Sequence, residues 1–318
     1  MTGTAPATRH GAAPQDGGAV PDDRPPAVLH VDLDGASEIY AAHGVAWPSA
    51  DDPVFESGLG NLLEFLDHNE LRATLFVIAS SLDQPRKREL LEEAVRRGHE
   101  VASHTVTHPN LRLLDRARKQ EEIATSRARI EDALGVRVRG FRAPGYSIDR
   151  ESVGLLDAAG YEWDSSAFPT SAFARHLGVD VDALTRPGRP FGATGLAELP
   201  LPDHRPSPFP VTPSYAMVLG RRYFGWGFDR YVRTGRTLVL LFHLIDFAAP
   251  LPADRVPGWK LRLFTLSSLD AETKRRRCQE ILDRSRRHYR LQTTDALLRD
   301  VAAGSADRPR PRMPNAER

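Results

Sequence analysis

Between residues 27 and 300 the apolar positions of this chain fall into two kinds of run. Short apolar runs predict strands at Ala27–Leu33, Ala73–Ile78, Glu100–Ser103, Val138–Arg142, Tyr161–Ser165, Leu196–Leu201 and Thr237–Phe242, the second of them rich in β-branched and aromatic side chains. Between them, apolar residues recur at three and four positions, as in Leu59-x-x-Leu62-Leu63-x-Phe65-Leu66, a spacing that predicts helices. Arg86–Arg97, Asp115–Leu134 and Asp149–Ala159 also read as helices, and each ends near a glycine (Gly98, Gly135, Gly160) suited to a left-handed cap. Strands that alternate with helices imply a parallel sheet with right-handed crossovers, and about seven such repeats predict closure. The expected fold class is therefore α/β, a distorted (β/α) barrel of about seven parallel strands.

Three segments break this rhythm. Residues 166–236 contain nine prolines and eight glycines, which predicts a long insertion over the barrel mouth. Residues 1–26 and 303–318 have too few large apolar side chains to offset the entropy of ordering them. Both read as disordered tails around a single catalytic domain, 27–302.

Charge and cysteine content narrow the class further. With 43 basic residues against 42 acidic ones, a general nucleic-acid partner is not expected. The lone Cys278 cannot form an internal disulfide. The N-terminus lacks the charged and apolar regions of a secretion signal, and no apolar run approaches the roughly 18 residues of a membrane span. A soluble, cytoplasmic protein is expected, with peripheral membrane contact left open.

The ionisable residues gather where a barrel concentrates its chemistry, at the C-terminal ends of strands. The first strand ends in Val31-Asp32-Leu33-Asp34-Gly35. Side chains repeat every two residues along a strand, so Asp32 and Asp34 share the inward face. Two inward carboxylates are costly unless a metal or a cation accompanies them. Taken alone, the Asp-Gly pair reads equally well as a solvated turn. The third strand ends in Ser103-His104-Thr-Val-Thr-His108, and histidines at i and i+4 of a helical turn can reach one metal. His99 begins that strand and reads as structural or solvent-exposed. Arg142 ends the fourth strand, and His243 follows the last. Each alone has a bland structural explanation, but four strand ends with ionisable groups at one mouth do not.

In this order the motifs resemble those of the polysaccharide deacetylase family, also called NodB-homology or carbohydrate esterase family 4, over roughly residues 27–300. Asp32-Leu-Asp34 resembles its first motif, in an Asp-x-Asp spelling where most relatives have adjacent aspartates. The resemblance implies that Asp32 is the catalytic base and that Asp34, His104 and His108 bind a metal. Arg142-Ala-Pro144-Gly-Tyr146 resembles the third motif, whose arginine orients the base, and implies an oxyanion donor near the Tyr146 backbone N–H. Leu240-Leu-Phe-His243 resembles the fifth, which makes His243 the general acid. The family's tryptophan–aspartate pair, which lines the pocket and supports the acid, is represented only by Trp163-Asp164, and Asp246 competes with Asp164 for that role.

A carboxylate with two imidazoles suits a divalent ion, Zn²⁺ first, and leaves an open position for water. The activity implied is removal of an acyl group, acetyl in the first instance, from the nitrogen of an amino sugar or glycan. A same-fold hydrolase of a small cyclic amide or imide is the alternative, followed by a catalytically silent sugar-binding protein. A lipid-linked sugar is a further expectation. Residues 209–228 interleave Tyr215, Met217, Tyr223, Phe224 and Trp226 with Arg221 and Arg222, a composition able to hold a phosphate beside an apolar tail. The basic run Lys274–Arg277, with Arg284, Arg286 and Arg287, would extend that face.

Overall fold

The computed structural model describes residues 22–203 and 212–304, so most of the two expected tails lies outside the described residues. In chain order the elements are β1 (Pro26–Asp32), α1 (Ala36–Ala41), α2 (Pro53–His68), β2 (Thr74–Val77), α3 (Pro85–Arg96), β3 (Glu100–Ser103), α4 (Arg116–Gln120), α5 (Ser126–Leu134) and β4 (Gly140–Phe141). They continue as α6 (Arg150–Ala158), β5 (Trp163–Asp164), α7 (Ser171–Leu177), β6 (Ala197–Glu198), α8 (Pro213–Leu219), α9 (Arg221–Val232), β7 (Leu238–His243), α10 (Gly258–Phe264), α11 (Ala271–His288), β8 (Arg290–Leu291) and α12 (Thr294–Ala302).

The sheet runs β6-β5-β4-β3-β2-β1-β7, and every pairing along it is parallel. No β6–β7 pairing closes it among the described residues, so the seven strands form a curled half-barrel. An eighth strand, β8, pairs with the start of β1 through Pro26↔Arg290 and Ala27↔Leu291. Its two residues are too short to leave a period in the sequence.

Alternation along the strands divides the apolar residues into two cores. Ala27, Leu29 and Val31 of β1 face outward into the layer of helices, together with Leu75, Val77, Leu240 and Phe242. Val28, Phe76, Ala102, Trp163, Val239 and Leu241 face inward, and Leu297 of α12 seals the bottom. The outer layer is shown by α2, which starts with Asp52 as N-cap and Pro53 at its first turn and buries Leu59, Leu62, Leu63 and Leu66. Each such leucine contributes about 1.5–3 kcal/mol by leaving water.

The 166–236 stretch is not uniform. It supplies the barrel strand β6 as well as α7, α8 and α9, while residues 204–211 lie outside the described residues. The expected helix 115–134 contains a wider π turn at Glu121–Thr125 between α4 and α5. No helix among the described residues is long and apolar enough to cross a membrane.

Candidate active site

Register alone brings two of the site residues together. Asp32 pairs with Phe76 of β2 on one side and with His243 of β7 on the other. All three side chains have inward parity, so Asp32 and His243 emerge side by side at the mouth. Asp32 Oδ2 lies 3.7 Å from His243 Nε2, with the aspartate 3% and the histidine 22% exposed.

Arg142 follows β4 and turns fully into the barrel. It donates to Asp32 Oδ1 at 2.6 Å, to the Ser165 carbonyl and to Ser165 Oγ. The Nη2 that meets Ser165 Oγ also donates to His30 Nδ1 at 2.8 Å, which requires the His30 proton to sit on Nε2, facing Thr294 Oγ1 at 3.0 Å. Burial, reinforced by the Arg142 charge, holds His30 well below its ordinary pKa, so it stays a neutral acceptor. The guanidinium also stacks over Phe76, 3.9 Å from the ring centre. His30 was not singled out from the sequence, although its inward parity between Val28 and Asp32 carried the signal.

Asp34 extends beyond β1 on the same parity. The turn that carries it is fixed from outside by Asp52, whose carboxylate accepts from Ala36 N and pairs with buried Lys87 at 2.7 Å. A Cβ at Gly35 would sit 1.9 Å from that carboxylate, so glycine is required there. Asp34 Oδ1 lies 3.4 Å from His104 Nε2 and 3.2 Å from His108 Nε2.

The two histidines do not reach Asp34 from a helical turn, as their spacing implied. Residues 104–108 form a loop in which Thr105 and His108 both take left-handed backbone angles, φ of 69° and 62°. Such angles are strained for residues other than glycine and persist only where neighbours enforce them. Glu122, in the π turn, does so by accepting from Val106 N, Thr107 N and Thr107 Oγ1. His108 N also donates to Thr105 Oγ1. Fixed spacing in sequence said nothing of this, because the turn is set by a carboxylate far along the chain.

His104, Asp34 and His108 offer three ligand atoms within 4.8 Å of one another. In a tetrahedral zinc site, bonds of about 2.0–2.2 Å place neighbouring ligand atoms about 3.3 Å apart, close to the spacings here. His104 Nδ1 donates to the Arg142 carbonyl at 2.7 Å, leaving the Nε2 lone pair directed at Asp34. Asp34 Oδ1 and His108 Nε2 are buried without a hydrogen-bond partner, a costly arrangement that a cation between them would relieve. Burial raises Asp34, but the His108 and His104 imidazoles outweigh it and hold the carboxyl well below its usual range. The residues present therefore fit a divalent metal.

On the far side of His243 lies the Asp246 carboxylate. Its Oδ2 accepts from the His243 backbone N–H at 2.9 Å, and its Oδ1 accepts from Ser214 Oγ at 2.7 Å. Ser214, near the start of α8, lies 3.2 Å from His243 Nδ1. The carboxylate thus reaches the imidazole through a serine. The Tyr146 hydroxyl lies 3.5 Å from His243 Nε2, whereas the Tyr146 N–H is spent on the Ala143 carbonyl.

Asp164 and Trp163 are placed elsewhere. Parity turns Asp164 away from the mouth, where it accepts from Ser166 N and Ser166 Oγ beside Glu198. Trp163 faces inward but is 3% exposed. Its ring stacks on His30 and meets Phe76 edge-on. A Cβ at Gly140 would lie 2.0 Å from that ring, so the neighbouring strand must carry glycine. Trp163 supports the His30–Arg142 pair from below the mouth.

Comparison with known proteins places this geometry in context. Residues 47–163 match the family model for polysaccharide deacetylase, a span that includes His104, His108 and Arg142 but not Asp32, Asp34 or His243. A chitooligosaccharide deacetylase from Sinorhizobium fredii is 31% identical over 160 residues, 48% of this chain and 63% of that protein. One from a Bradyrhizobium strain is 34% identical over 134 residues, 40% of this chain and 53% of its own. The chain thus spans between half and two thirds of these relatives. Among solved structures, a Mycobacterium smegmatis protein assigned as a polysaccharide deacetylase is similar over 92% of this chain and 94% of its own, with a TM-score of 0.61 at 19% identity. The allantoinase Puue is similar over 93% and 100%, with a TM-score of 0.58 at 15% identity.

Proposed function

We propose that this chain is a polysaccharide deacetylase and hydrolyses the N-acyl amide, acetyl in the first instance, of an amino sugar within a glycan. It would thus be a hydrolase of carbon–nitrogen bonds other than peptide bonds. The observation that carries the reading is the pairing of Asp32 with His243, 3.7 Å apart, beside the Asp34–His104–His108 trio. The Asp32-Leu33-Asp34 spelling is read as that of an Asp-x-Asp subgroup.

Asp34, His104 and His108 would hold a divalent ion, Zn²⁺ in the first instance. When bound, such an ion polarises the acyl oxygen and makes water acidic enough to attack near neutral pH. Asp32, aimed by Arg142, accepts the proton of the attacking water. His243 delivers a proton to the departing amine, which is otherwise a poor leaving group. Asp246 and Ser214 hold the His243 ring with Nε2 toward the mouth. Tyr146 presents its hydroxyl at the same point and is placed to meet the substrate.

In finer form, the sugar is carried on a lipid phosphate and processed at the cytoplasmic face of a membrane. Exposed Leu219 and Trp226 flank Arg221 and Arg222 and favour this placement. The test is acetate release from N-acetylglucosamine oligomers and from a lipid-linked N-acetyl sugar, with protein stripped of metal and then resupplied with Zn²⁺. Metal-restored acetate release supports the reading. Hydrolysis of a cyclic amide with no acetate from either sugar would replace it.

A further inference from the structure

Between them, α8, α9 and α11 enclose a cleft of about 270 Å³. Arg221, Arg277, Arg284 and Arg287 line it, with Glu280 as the lining carboxylate and Phe224 in its wall. Each guanidinium brings five N–H donors in a fixed plane. The acceptors that meet them are few. Arg221 pairs with both Glu280 oxygens, 3.0 Å from each. Arg284 donates to Asp229 at 2.5 Å, but its Nε is buried with no acceptor among the described residues. Among the described residues Arg277 makes one bond, to the Met217 carbonyl at 3.2 Å. Arg287 is exposed and has no hydrogen bond or ion pair among the described residues.

A concave site with four cations, few carboxylates and an orphaned buried donor is complementary to an anion with several oxygens. A single carboxylate would satisfy one guanidinium fork. A phosphate group offers more oxygens and up to two charges, and planar forks match it bidentately. The Phe224 side of the cleft lowers the local dielectric and strengthens each such contact. We propose that this cleft binds a phosphate group, borne by a soluble phosphorylated ligand or by a phospholipid headgroup. The inference does not rest on the deacylation proposed above, because none of these side chains has a role in that chemistry, and Arg221 alone is shared with its lipid-linked form.

The test uses the full chain and two probes. Calorimetric titration with inorganic pyrophosphate reads the soluble source. Sedimentation with phosphatidylcholine vesicles, with and without phosphatidylglycerol, reads the lipid source. Saturable binding is expected for at least one probe, at least ten-fold weaker in Arg277→Gln with Arg287→Gln. A second double variant, Arg275→Gln with Arg276→Gln, alters residues of α11 that do not line the cleft and should bind as the parent does. Glu280→Gln releases Arg221 from its pair and should tighten binding, which keeps the proposal testable if the first double variant melts early. Absence of binding to both probes overturns the proposal. So does equal weakening in the two double variants, or an unchanged affinity in Glu280→Gln.

Discussion

Arg142 Nη1 donates to Asp32 Oδ1 at 2.6 Å, with the two side chains 0% and 3% exposed. A buried charge pair adds little stability over an apolar pair, but either member left alone is costly, by about 3–5 kcal/mol. The value of this pair lies in the direction it imposes on Asp32. Arg142 also contacts His30 and Ser165, so a lysine cannot reproduce its fork. Arg142→Lys should therefore lower activity by about 10²-fold, as small misplacements of a reacting group do. Asp32→Asn should lose about 10²-fold or more, the scale of general-base removal, while retaining its metal. Metal analysis beside acetate-release kinetics checks both, and loss of metal from Asp32→Asn would make Asp32 a ligand.

His104 and His108 should behave oppositely to Asp32. Replacing either with alanine removes one of three ligand atoms, so bound divalent ion and nearly all activity should fall together. Elemental analysis after desalting measures the first quantity. Full metal content in either variant would exclude that residue from the ligand set.

The support of His243 separates Asp246 from Asp164. Ser214→Ala and Asp246→Asn should each lower kcat by roughly ten-fold or more, with little change in KM, because the imidazole loses its orientation. Substrates with better leaving groups should recover part of that loss. Asp164→Asn should leave the kcat for such substrates and for ordinary ones in the same ratio as the parent. An altered ratio in Asp164→Asn, with none in the other two, would transfer the supporting role to Asp164.

Glu198 and Asp164 give the fold a pH dependence of known sign. Burial first, and the facing Asp164 second, hold Glu198 well above its ordinary value of 4.5. Burial also raises Asp164. Above pH 4.5 an unfolded chain releases the Glu198 proton while the folded chain keeps it. The stabilisation is thus complete below that pH and is lost as pH rises toward the higher folded value. Glu198→Gln keeps a donor facing Asp164 without the ionisation. Its urea-unfolding free energy should decline less between pH 5 and pH 8 than that of the parent. Parallel declines would remove Glu198 as the source.

The barrel was legible because strands and helices leave different periods, and two-residue parity correctly put Asp32 on the inner face. Parity also turns Asp164 outward from Trp163, which the sequence alone permitted but motif likeness obscured. What periodicity could not carry were contacts between distant segments. The loop at 104–108 depends on Glu122, and the serine between Asp246 and His243 comes from α8, within the irregular stretch read as an insertion. His30 escaped notice because a buried histidine in an apolar strand looks like ordinary core until Arg142 is seen to need an acceptor.

β1 finds β2 a short way along the chain but meets β7 only after most of the polypeptide has been made. Loop closure of that length slows pairing, so β7 should be among the last strands to dock. Asp34, His104 and His108 all precede His243 in the chain and so are synthesised before it. The proposed hydrolysis needs β7 in place to bring His243 beside Asp32, so turnover would report the docking of β7, and metal binding only that of the earlier segments.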